Sequence, residues 1–78
     1  MSHVPHELAE MLPEHVEAMH AKKGHDAHFD KLAEAYHTLN RDIHRAETDV
    51  EPTDDFHMQE MRRKRLALLD EIKGLLTA

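Results

Sequence analysis

The 78-residue chain has no cysteine and no tryptophan. Without cysteine there is no disulfide framework, no thiolate nucleophile and no zinc–thiolate centre. Aromatic residues make up 4% and there are two glycines and three prolines, a composition that suits helices better than strands. A single serine, Ser2, sits at the extreme start, and no glycine-rich phosphate loop exists. No apolar run approaches 18 residues, so no membrane insertion is expected. The opening MSHVPHELAEML has no basic stretch followed by an apolar one. It therefore predicts no secretory leader and a cytoplasmic location. A chain of this length makes one small domain, and so small a core is expected to draw support from self-association or extended helix packing.

Charge is abundant. Lys and Arg number 10, Asp and Glu 16, giving a formal −6, and histidines number nine. The acidic balance argues against a general phosphate-backbone binder. Protonating all nine histidines would carry the formal charge from −6 to +3. Unperturbed imidazoles titrate around pH ~6.5, so solubility and self-association should change between neutral and mildly acidic pH.

The clearest pattern runs through Phe29, Leu32, Tyr36, Leu39, Ile43, Ala46 and Val50. The alternating spacing of three and four is a heptad seam, and only a helix uses it. Asp26 is a natural N-cap for this helix and Lys22, Lys23 and Gly24 a natural end for the one before it. Pro13 suits a first helical position, so a short helix is expected to start there, with a broken stripe of Leu8, Met11, Leu12, Val16 and Met19 around it. Pro52 breaks the chain, and Thr53 is expected to cap the last helix with Asp54 and Asp55 in its first turn. In that helix Met58, Met61, Leu68, Ile72 and Leu75 should face the seam, while Gly74 weakens the final turn by about 1 kcal/mol. The fold predicted is all-α: an antiparallel, coiled-coil-like hairpin with a short N-terminal helix, able to dimerise into a helical bundle. Residues 1–12 form an N-terminal extension, partly disordered or a short helix. Residues 13–78 form the hairpin domain, with helices at about 13–23, 27–48 and 54–76.

Leu66, Leu69 and Leu76 widen the apolar arc of the last helix beyond what one hairpin partner covers. Either the N-terminal helix or a second subunit must cover the excess, so these three are the candidate interface. Arg65 falls inside the apolar arc, and in an antiparallel hairpin it lies opposite Asn40 at the seam's edge. An Arg65–Asn40 contact is expected to set the hairpin register. The run Arg62-Arg63-Lys64-Arg65 points to every side of a helix, without aromatic neighbours, and reads as solvated charge pairing with the central helix. No two histidines are four apart. The pairs His3/His6 and His25/His28 lie at a chain end and a helix start, and His37 and His44 are about 10 Å apart along the helix. That spacing does not make a metal clip, so no metal or other cofactor is expected. The carboxylate pairs Asp54/Asp55 and Asp70/Glu71 diverge on a helix and face no cleft, and methionines 11, 19, 58 and 61 read as core filler. No catalytic residue and no small-molecule substrate are expected.

Several stretches resemble a known family: Leu12-Pro13-Glu14, His28-Phe29, Tyr36 to Ile43, Glu47, and Met61 to Ile72. In order and spacing they are similar to the small bacterial YdcH family across roughly residues 12–76. The resemblance implies an all-α hairpin in a cytoplasmic bacterial protein and no established activity. Two departures stand out: about eleven extra residues precede Leu12, and Leu69 replaces a usual lysine. The function expected is a non-catalytic helical module for self-association or for binding another protein. The alternatives are a nucleic-acid-associated regulator using residues 62–65, and a histidine-based metal or pH responder.

Overall fold

The computed structural model describes residues 5–48 and 54–77. Among them, α1 spans Leu8–Met11, a 3-10 turn Pro13–His15, α2 Val16–Lys22, α3 Ala27–Glu47 and α4 Asp55–Thr77. No strand occurs among the described residues. The fold is the all-α hairpin expected, with α3 packed along α4. Late residues of α3 meet early residues of α4: Glu47 pairs with Arg62, and Asn40 with Arg65. That order makes the two helices antiparallel.

The helix ends follow local chemistry. Asp26 caps α3, its Oδ1 accepting the Phe29 amide at 3.1 Å. That bond holds the Asp26 carboxyl below its usual pKa. Gly24 adopts φ 78°, the left-handed conformation that a residue past a helix end requires, and donates its amide to the Asp30 carboxylate. Thr48 closes α3, its hydroxyl donating to the His44 carbonyl at 3.0 Å. Val50 of the predicted seam and the expected cap Thr53 lie outside the described residues. Asp54, expected within the first turn, itself stands as a cap, its Oδ1 accepting the His57 amide at 2.7 Å.

The start of the chain departs from expectation. Pro13 opens a 3-10 turn, and α-helical geometry begins only at Val16. Leu12, at φ −129° and ψ 59°, breaks the chain between α1 and that turn. A proline that follows must start afresh, because it has no amide proton to extend the preceding helix. The extension folds back on the hairpin: Leu8 and Leu12 are both buried.

The core has two parts. Toward the connection between the long helices, Ile43, Ala46 and Met61 are buried, with Leu39 and Met58 packed on them. Toward the open end, Phe29, Tyr36 and Ile72 join Leu8 and Leu12. Leu32, Leu68, Leu69, Leu75, Leu76 and Met19 pack half-buried against that second cluster. Met11, expected in the core, is instead 40% exposed, because Leu8 and Leu12 take the inward side of the single α1 turn.

Candidate functional site

Two features of this frame are candidates for function: a buried polar junction at the middle of the hairpin, and an apolar edge on α4.

Asn40 forms the junction. It is 1% exposed, inside the interface and not at its edge as its position in the heptad suggested. Its Oδ1 accepts from Arg65 Nη1 at 3.0 Å, and its Nδ2 donates to the Pro5 carbonyl at 2.8 Å. One amide thus joins the N-terminal segment, α3 and α4. Tyr36, one helical turn earlier, donates its hydroxyl to the His6 carbonyl at 2.6 Å. Burial pushes the Tyr36 phenol above its ordinary pKa, against the opposing pull of the Arg65 guanidinium. Alongside, Nδ1 of His37 lies 3.0 Å from the Glu7 carboxylate but makes no hydrogen bond. The contact therefore acts as an ion pair only when the imidazole is protonated. His6 itself has φ 64°, a left-handed conformation uncommon outside glycine.

The Arg65–Asn40 contact expected from the sequence is present, but the tie from Asn40 and Tyr36 to the extension was not foreseen. Signals for it existed. A buried tyrosine needs an acceptor for its hydroxyl, and Leu8 and Leu12 are spaced to lie on one helical face.

The three leucines proposed as an interface do not share one environment. Leu69 and Leu76 pack half-buried against the open-end cluster, which includes Leu8 and Leu12. Both thus lie on a cluster to which the N-terminal segment contributes. Leu66 remains 59% exposed. It lies three residues before Leu69, so it continues the same apolar side out to solvent. Phe56, at 75%, is a second exposed apolar side chain near the start of α4.

The basic run separates as four consecutive helical residues must. Arg62 pairs with Glu47 at 3.0 Å and Arg65 with Asn40, while Arg63 and Lys64 face solvent. An open groove of about 750 Å³ lies between the N-terminal segment and α3, with Val16, Met19, Phe29 and Ala33 among its apolar lining. His20, His37, Asp30 and Arg41 also line it. Among the described residues no three His, Asp or Glu side chains converge as a metal site would need. No described helix is long and apolar enough to cross a membrane.

A family model described as "Protein of unknown function (DUF465)" matches residues 29–76, more than half of the chain. The chain belongs to this family. No curated protein and no solved structure matches it. The DUF465 match begins at Phe29, inside α3, and ends at Leu76, inside α4. It contains Tyr36, Asn40, Arg65 and Leu66. It leaves out the extension whose carbonyls Tyr36 and Asn40 bind.

Proposed function

We propose that this DUF465-family chain, which resembles the YdcH proteins in sequence, is a cytoplasmic helical module for binding protein, without catalysis or a small-molecule substrate. The α4 edge at Leu66 is the contact surface. The observation that carries the reading is the 59% exposure of Leu66 beside half-buried Leu69. Burying a leucine of this kind in an interface contributes about 1.5 kcal/mol or more. The occupant of that edge is either a second copy of the chain or another protein. Asn40 and Arg65 serve this reading indirectly, by fixing the register that places Leu66 outward.

Light scattering on the eluting protein tests it. Self-association is expected to rise with concentration and to be lost in Leu66→Lys. Leu66 is the informative position, because Leu69→Lys would also disturb the core. A wild-type chain that stays monomeric at every concentration, and shows no capture difference from Leu66→Lys in extracts of its own cell, would reject the proposal.

A further inference from the structure

The N-terminal segment sits on the hairpin as a ligand sits on a receptor. Residues 5–12 contribute two buried leucines spaced four apart, Leu8 and Leu12. They offer two consecutive backbone carbonyls, of Pro5 and His6, to Asn40 and Tyr36. They bring one carboxylate, that of Glu7, against His37. The floor they cover is made by Phe29, Tyr36 and Ile72. Every one of those floor and donor residues lies inside the family match at 29–76, and none of the covering segment does. The match thus takes in the residues that receive the segment and stops short of the segment itself.

The covering segment has little regular structure of its own. α1 is a single turn, and α2, which follows it, has no buried residue. His6, whose carbonyl receives the Tyr36 hydroxyl, takes the uncommon left-handed conformation. A short apolar helix in a groove, flanked by polar anchors, is a recurrent mode of protein recognition.

We propose that the α3–α4 groove floored by Phe29, Tyr36 and Ile72 is a docking site for a short helix of a partner protein, and that residues 5–12 occupy it as an internal stand-in. The partner segment carries the same chemistry: an acidic residue, a leucine directly after it, a second leucine four positions on, and a turn before them presenting two consecutive carbonyls. The partner must displace the stand-in, so the extension sets a threshold for binding. This inference does not rest on the Leu66 edge: the groove exists in a monomer and is unaffected by Leu66→Lys.

The probe is a labelled peptide, PHELAEML, with the sequence of residues 5–12. It is titrated into the full wild-type chain and into a full-length Leu8→Ser/Leu12→Ser variant, in which the stand-in is weakened. A tethered segment competes at an effective concentration of about millimolar, so the variant should bind the peptide at least about tenfold more tightly than wild type. A peptide carrying both serines should bind neither chain. A second arm guards against a variant that does not fold. Unlabelled peptide in excess is added to isotope-labelled wild type, and amide exchange is followed. The Leu12 amide, bonded to the Leu8 carbonyl at 2.8 Å, should lose protection while α3 and α4 keep theirs. Binding in either arm supports the groove, and absence from both overturns it. A wild-type dimer that survives Leu66→Lys and dissociates with peptide would assign the groove to a second copy's extension, which overturns the heterotypic reading.

Discussion

At the scale of single residues, Asn40 and Tyr36 carry more of the structure than their neighbours of similar size. Asn40 is fully buried, and both ends of its amide are engaged. Asn40→Ala would strand the Pro5 carbonyl and leave the Arg65 guanidinium half-buried without its acceptor. Each lost bond to a neutral group is worth about 1 kcal/mol and one to a charged group somewhat more, so a loss of about 3 kcal/mol is expected in urea unfolding. A loss below ~1 kcal/mol would mean that water replaces both bonds. Tyr36 gives a pH test with a clear sign. Its folded-state pKa is raised by burial. The stability this represents is complete below the unfolded phenol value of about 10 and is lost as pH rises through the folded value. Tyr36 is the chain's sole tyrosine, so tyrosinate absorbance reports it alone. The folded chain should ionise later than the urea-unfolded chain, and stability should decline from about pH 10 upward. Coincident titration curves would show that the phenol reaches water in the folded state.

At the scale of elements, the helices end where short-range chemistry tells them to, and Gly74 offers a direct measure of what one interior glycine costs. It lies within α4, which continues to Thr77, and a methyl group added there meets nothing within 4 Å. Gly74→Ala should therefore stabilise the chain by about 0.5–1 kcal/mol, through helix propensity alone. Gly24→Ala should do the opposite, because φ 78° strains any side chain. Thermal melts of the two variants, shifting in opposite directions, check both. These local rules explain what was legible in the sequence. The seam from Phe29 to Ala46, the cap at Asp26, the stop at Gly24 and the Arg65–Asn40 pairing all follow from periodicity and capping, which act over a few residues or across one antiparallel register. The extension was not legible in the same way. Its hold comes from Tyr36 and Asn40 reaching carbonyls 30 and 35 residues away, and carbonyls carry no sequence signature. The wide leucine arc of α4 is visible in the sequence. Deciding what covers it required knowing that Leu8 and Leu12 fold back over the open end. Thr53 lies outside the described residues, and Asp54 supplies a cap for α4 by accepting the His57 amide.

At the scale of the whole molecule, the two core clusters differ in how far along the chain they reach. The cluster of Ile43, Ala46 and Met61 joins segments on either side of one connection, whereas the other also needs Leu8 and Leu12. Closing the longer loop costs more entropy, and contacts of high sequence separation form late unless the nucleus requires them. The hairpin near its connection should therefore form first and the extension should dock afterwards. Leu8→Ala removes a side chain that is 5% exposed and should cost about 2–3 kcal/mol, nearly all of it as faster unfolding. Ile43→Val, at a fully buried site near the connection, should cost about 1 kcal/mol and slow folding instead. Stopped-flow chevrons separate the two. A folding limb slowed by Leu8→Ala would place the extension in the nucleus. It would then be a structural part of the hairpin and not a segment laid over it, and the groove beneath it could open only when the whole chain unfolds.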